Sequence, residues 1–311
     1  DYTLTEGPTE VLASSWILDP RFPAVRKYIT DTLVRGVRDW GADGWKIDFI
    51  QHFHLYQRDK ADAGMNGRDL RSVSDAALVL QEEFSSELRK VNPEVMFEFM
   101  FAYGGARGQK AATQLRAGDC PADAVWNRNQ TARLRLLSGQ RAAVHSDMLI
   151  WSKDETPEGA ALPILNALFS TIQYSMVLAN LNPAHGEVIR HWLRFSQEHR
   201  EALLKGEFRP HHPEVGYPWI EAESAQERIV AVYSPEVCVN CRDLGERRAY
   251  IVNASGAEGV IAELEAASAP RVVTIYDVIG RRVGAAALPP GAITRLAIPA
   301  SGYARVELPK D

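Results

Sequence analysis

Cysteine is scarce in this chain. Three occur in 311 residues, Cys120, Cys238 and Cys241; an odd number cannot all pair within the chain, so no disulfide framework is suggested. Residues 238–241 read "CVNC", but a second such pair and a suitably spaced histidine cluster are both lacking, and no zinc site or other cofactor is expected. No run of about 18 apolar residues occurs, which excludes a membrane-spanning helix. Basic excess is lacking too. Against 40 Asp and Glu stand 35 Lys and Arg, a net charge of -5, so the surface holds nothing that favours nucleic acid. The opening "DYTLTEG" carries neither an initiator methionine nor a secretion signal, and the expectation is that the natural N-terminus lies upstream. No compartment is fixed by this; the cytoplasm is the reading carried forward.

What is present is ordinary for a globular protein: 46% hydrophobic and 24% charged residues, enough to bury a large core in one or two domains. From residue 24 to about 205, amphipathic helical stretches alternate with short apolar runs, the signature of βα units around a parallel sheet. Val25, Ile29, Leu33, Val37 and Trp40 recur at helical spacing and lead through "GADG" into "WKIDF". A second helix, marked by Val73, Leu80, Phe84, Leu88 and Val91, leads into "VMFEFMF". Further strands are expected in "TQLRAG" (113–118), "AAVHSDMLI" (142–150) and "SMVLANL" (175–181), with "EVLASSWIL" (10–18) as a possible sixth. After "KGEF" the pattern becomes short β runs separated by turns, which predicts a separate antiparallel β-sandwich. The expected domains are therefore 1–206, a (β/α) barrel portion, and 207–311.

The stretch "GWKIDF" (44–49) holds the first chemical clue. Trp45, Ile47 and Phe49 alternate with Lys46 and Asp48, so both charges leave the strand on one side. Two charges on one face of a buried strand are costly unless they pair or act near the strand's end. In parallel βα architectures the active site lies at the carboxyl ends of the strands. Polar residues recur there: Lys46 and Asp48, Arg107 after "VMFEFMF", Asp119 and Asp123 after "TQLRAG", His145 and Asp147 in "AAVHSDMLI". Each has a plain structural explanation, Asp119 as a helix N-cap, Asp123 as a first-turn acid, His145 as a core histidine, Arg107 as a solvated loop residue. Their repetition strand after strand argues for a shared rim. Two facing carboxylates suit glycoside hydrolysis. Lys46 would keep Asp48 ionised as a nucleophile, and Asp119, with Asp123 close by, is the preferred proton donor.

These motifs carry a resemblance. "LDPRFPAVRKYITDTLVRGVRDWGADGWKIDF" resembles the segment of glycoside hydrolase family 36, the α-galactosidase and raffinose synthase group, that bears its nucleophile on a lysine-x-aspartate strand. "YGGARG" resembles that family's glycine-rich turn with its arginine, and "LRAGDCPADAVWNR" the segment with its acid/base aspartate. "HWLRFSQEHREALLKGEF", with β structure after it, is similar to the family's last barrel helix and C-terminal domain. The resemblance implies an α/β fold, a partial (β/α)8 TIM barrel holding the later strands followed by a C-terminal antiparallel β-sandwich. It implies a retaining glycosidase for α-galactosides or a related α-hexoside, with Asp48 as nucleophile and Asp119 as acid/base. Trp16, Lys46, Gly104, Gly105, Arg107, Asp123 and His145 are the expected substrate contacts, with Asp147 behind them. Phe101 replaces the family's cysteine, "GQ" follows Arg107 where the family has an acid, and Asp119 and Asp123 are four apart instead of three, so the sugar stays open and the acid could have moved to Asp123. A raffinose-synthase-like transglycosylase and a non-catalytic sugar-binding fragment are the alternatives. The family's upstream β-domain and first barrel strands have no counterpart here, so the chain is expected to be the C-terminal portion of a longer enzyme, with self-association through open sheet edges possible.

Overall fold

The computed structural model describes residues 2–4, 16–50, 53, 65–100, 107–119, 123–139, 141–241, 243–263 and 270–309. Two compact units divide the chain, Asp1–Arg116 with Leu137–Ala142, and Ala117–Leu136 with Ala143–Asp311. The boundary at 206/207 expected from composition thus falls inside the second. The chain is mixed α/β. A parallel sheet of five strands runs in chain order, β1 (Gly44–Ile47), β2 (Met96–Met100), β3 (Gln114–Arg116), β4 (Ala143–Leu149) and β5 (Thr171–Tyr174), and two sheets with both antiparallel and parallel pairings accompany it.

In the first unit, helix α1 (Pro23–Trp40) starts with proline at its first turn, where the missing N–H costs nothing, and ends at Gly41. Gly41 adopts φ 71°, a left-handed conformation that glycine enters without steric cost. The chain then returns as β1, whose Trp45 lies so close to Gly36 that a Cβ there would stand 2.1 Å from the indole. Trp45 also donates its indole N–H to the Leu33 carbonyl at 3.1 Å. Helix α2 (Val73–Val91) is capped by Ser72, whose hydroxyl accepts from the Asp75 N–H. It buries Val73, Ala76, Ala77, Leu80, Phe84 and Leu88, and Phe84 meets Phe97 of β2 with ring centroids 5.5 Å apart.

The "LDPRF" turn ahead of α1 is held by charge. Asp19 is fully buried and accepts from Arg21 Nη2 and Arg68 Nε, each at 2.9 Å. Burial alone would push the Asp19 carboxyl up, but the hydrogen bonds from Arg21 and Arg68 outweigh it and hold the group below the usual carboxylate range. Beside it, Arg26 of α1 binds Asp69 at 2.6 Å and Glu83 of α2 at 3.0 Å, fixing the two helices to each other.

In the second unit, helix α3 (Ala124–Ser138) is capped by Asp123, whose Oδ1 accepts from the Trp126 N–H at 2.8 Å. Strands β4 and β5 pair in parallel around helix α4 (Pro157–Asn166). The fifth strand is therefore earlier than "SMVLANL" suggested. Alternating Thr171, Ile172, Gln173 and Tyr174 form the ladder, while Leu178–Asn180 is a 3-10 turn and Val177 and Leu178 are exposed. The apolar run at 175–181 is loop because the strand's pairing has already ended. Of "EVLASSWIL" only residues 16–18 are described, and there Leu18 makes a lone antiparallel bridge with Thr3, not a strand.

Helix α5 (Pro183–Glu198) buries Val188, Trp192 and Phe195. These join a core cluster with Ile220, Ile229, Tyr250, Val252 and Tyr303, which belong to a seven-stranded sheet: β6 (Glu207–His211), β7 (Trp219–Glu223), β8 (Glu227–Val232), β10 (Arg248–Asn253), β12 (Arg271–Tyr276), β13 (Arg282–Leu288) and β15 (Tyr303–Glu307), in the order β13-β12-β15-β10-β8-β7-β6. His199, just past α5, sits 2.9 Å from Glu227 of β8. Alternate residues of the same sheet, including Val230, Ile251, Val273 and Val306, form another core with Val239, Val260, Ala262 and Leu296. The latter four come from a three-stranded sheet of β9 (Cys238–Asn240), β11 (Val260–Glu263) and β14 (Ile293–Leu296).

Two substitutions test these supports. Asp19→Asn should cost about 3–5 kcal/mol at neutral pH in urea unfolding, because it leaves Arg21 without its charged partner in a buried site. Since the folded carboxyl titrates below its unfolded value of about 3.9, the stability it supplies is present above that pH and lost as pH falls through the lower folded value, so the cost should shrink in acid. Asp123→Ala should cost about 0.5–2 kcal/mol through loss of the α3 cap, and an unchanged unfolding midpoint would contradict the cap.

Candidate active site

The register of the first three strands sets which side chains share a face. Trp45 pairs with Phe97 and Ile47 with Phe99, and Phe99 with Leu115; Phe97, Phe99 and Leu115 are fully buried. The opposite face is polar. Lys46 lies beside Glu98, Glu98 beside Gln114, and Met100 beside Arg116. Strand alternation alone produces this division, since every second side chain leaves on the same side.

Asp48 follows the last residue of β1 on that polar side. Its Oδ2 is 3.2 Å from Lys46 Nζ and 3.9 Å from Arg116 Nη2, and its Oδ1 accepts from the Phe49 N–H at 3.0 Å. Phe49 takes φ 57°, a left-handed conformation that is costly for a bulky side chain and tends to mark functional turns. Arg116 also stands 3.5 Å from Glu98 Oε1, while Gln114 Nε2 donates to Glu98 Oε2 at 3.3 Å. Two cations and two carboxylates thus form one connected group. The Asp48 side chain keeps 27% exposure and Arg116 only 5%, so the carboxylate stays reachable while the guanidinium is shut away. Chemically, the group presents an accessible carboxylate at the end of a strand with two cations beside it.

Lys46 and Asp48 pair, one of the two outcomes that the strand pattern left open. Arg116 and Glu98 were missed by the sequence reading. Their signal was the same alternation, a lone charge between apolar neighbours in "MFEFM" and "QLR".

Other expected site residues fare differently. Arg107 stands 3.2 Å from Glu82 and 4.0 Å from Asp75, two acids about two turns apart on α2. Trp16 is exposed just ahead of the Leu18 bridge. Gly104 and Gly105 lie outside the described residues, as do Phe101 and Cys120.

In the second unit, Asp119 is exposed beyond the buried Ala117 and Gly118. Asp123, not Asp119, caps α3, because it is the residue directly before the first helical turn; the capping role expected of Asp119 belongs to Asp123. His145 is buried with Nδ1 2.6 Å from the Ser146 carbonyl, which requires the proton on Nδ1. Asp147 is fully buried. Tyr174, at the end of β5, is also largely enclosed, and burial pushes its hydroxyl up to about 12, so it stays protonated at neutral pH. Among the described residues no group of histidine, cysteine and acid side chains could hold a metal ion, and no helix is long and apolar enough to cross a membrane.

Compared by sequence, the chain matches no family model and no curated protein. Compared by structure, it is similar to solved glycoside hydrolases. One is the galactosidase domain of the α-galactosidase–sucrose kinase AgaSK, with a TM-score of 0.57 and 12% identity over 99% of this chain and 40% of that one. Another is a variant of the family 36 α-galactosidase AgaA from Geobacillus stearothermophilus in complex with stachyose, with a TM-score of 0.57 and 14% identity over 99% of this chain and 41% of that one. Amy13B of Eubacterium rectale matches with a TM-score of 0.59 and 7% identity over 97% of this chain and 67% of that one. The chain spans about two fifths of the length of these α-galactosidase chains. At such identities the likeness is one of fold. The resemblance to glycoside hydrolase family 36, first visible in ordered sequence motifs, is thus shown as a similarity of fold that covers nearly the whole chain.

Proposed function

We propose that the chain is the catalytic portion of a retaining glycoside hydrolase that removes terminal α-linked galactose, or a related α-hexoside, by double displacement. The observation that carries this reading is Asp48: an accessible carboxylate at the end of a parallel strand, 3.2 Å from Lys46 and 3.9 Å from Arg116. Such a carboxylate suits a nucleophile, which must be ionised and within reach of substrate. That AgaA holds stachyose in a solved complex supports an α-galactoside as the substrate class.

In the first step Asp48 attacks the anomeric carbon. The bond to the leaving oxygen breaks, and that oxygen takes a proton from Asp119. In the second step Asp119 accepts a proton from water as the water oxygen bonds to the anomeric carbon, and the electron pair of the broken ester returns to Asp48. Asp119 is preferred over Asp123 because the Asp123 carboxylate already serves the α3 N-terminus. Lys46 would also contact the sugar's hydroxyl groups. His145 and Asp147, both buried, would act from behind the substrate surface, contacts from Gly104, Gly105 and Arg107 rest on the motif likeness, and the exposed Trp16 would add an apolar contact.

Asp48→Ala should lower hydrolysis of a nitrophenyl α-galactoside by at least about a thousandfold with the far-ultraviolet circular dichroism of the parent. Added azide should then restore turnover and yield the β-galactosyl azide, since it enters from the vacated face. Undiminished turnover in the variant would refute the nucleophile assignment. Adding an acceptor sugar to the unsubstituted chain and analysing the products tells hydrolysis from transglycosylation.

A further inference from the structure

We infer that Arg116 is a positioning residue that acts through Asp48, speeding the step in which the Asp48 carboxylate is regenerated. The inference rests on Asp48 being the nucleophile. Arg116 extends from β3 with a side chain only 5% exposed. A guanidinium that deep in a sheet is expensive unless anions meet it. Asp48 and Glu98 do, at 3.9 and 3.5 Å.

The charged groups around Asp48 come from each strand of this unit: Lys46 from β1, Glu98 from β2 and Arg116 from β3. With Asp48 ionised, two positive and two negative charges balance. Once Asp48 carries a sugar as an ester its charge is gone, and Lys46 and Arg116 face Glu98 alone. Glu98, steadied by Gln114 at 3.3 Å, then holds the guanidinium where it was.

The two chemical steps differ in what they ask of that cation. During formation of the ester, negative charge leaves Asp48, so a neighbouring cation stabilises the starting state at least as much as the transition state and contributes nothing to the rate. During hydrolysis of the ester, water's oxygen bonds to the anomeric carbon, its proton passes to the base, and the electron pair of the breaking bond returns to Asp48. Negative charge grows beside Arg116, which is already in place and shielded from water, the condition under which a fixed charge has most effect on a barrier. Lys46 approaches Asp48 more closely, but its side chain is 53% exposed and its field is screened. Arg116 therefore influences the second step more than the distance alone suggests.

The test is steady-state kinetics on nitrophenyl α-galactoside with intact-mass spectrometry during turnover, for the unsubstituted chain, Arg116→Met and Arg116→Lys. Arg116→Met should lower kcat about tenfold or more, with KM falling in parallel so that kcat/KM stays within about threefold. Protein carrying one hexosyl group should accumulate. Arg116→Lys should recover most of the lost kcat, and it carries the test with a smaller split if Arg116→Met does not fold. Loss of kcat and kcat/KM together at constant KM, without sugar on the protein, overturns the inference, as does parental kcat in Arg116→Met. An unsubstituted chain that neither turns over substrate nor becomes labelled overturns the glycosidase reading itself, and the role of Arg116 with it.

Discussion

Four charges on one face of three short parallel strands must neutralise one another, and much of the candidate site follows from that requirement. Lys46, Asp48, Glu98 and Arg116 share a face because their strands pair in register and side chains alternate. The apolar residues between them are committed to the other side, where Phe97, Phe99 and Leu115 are buried. No charge in the group can be removed without leaving an imbalance next to a nearly sealed guanidinium. The same arrangement that makes the charges tolerable leaves one carboxylate, Asp48, reachable.

The sequence showed the part of this that depends on local pattern. Alternation in "GWKIDF" predicts that Lys46 and Asp48 point the same way, and helical spacing locates α1 and α2. Proline at the start of α1 and glycine after its end mark boundaries that the structure keeps. Pattern fails where partners decide. Arg116 and Glu98 each look like a stray charge within a strand, and only the pairing of β2 with β3 brings them together. Arg107 follows a strand in the sequence, and its neighbours Glu82 and Asp75 on α2 are partners that strand pattern does not show. The fifth strand was misplaced because "SMVLANL" is more apolar than "TIQY", although the shorter, more polar segment is the one that pairs with β4.

Asp119 and Asp123 show the same limit at smaller scale. Both precede α3, and composition cannot say which of two aspartates four residues apart sits one residue before the first turn. Hydrogen bonding decides: Asp123 serves the Trp126 N–H. One carboxylate is thereby committed to the helix end, and the role assigned to Asp119 follows from motif and elimination in the proposal, not from pattern alone.

The core shared by α5 and the seven-stranded sheet has a consequence for engineering. Trp192 and Phe195 of the helix are buried with Tyr250 and Tyr303 of the sheet. Although antiparallel strands begin at Glu207, a cut at that point would part these side chains from one another. A graft or fusion that keeps the strands must therefore carry α5 along.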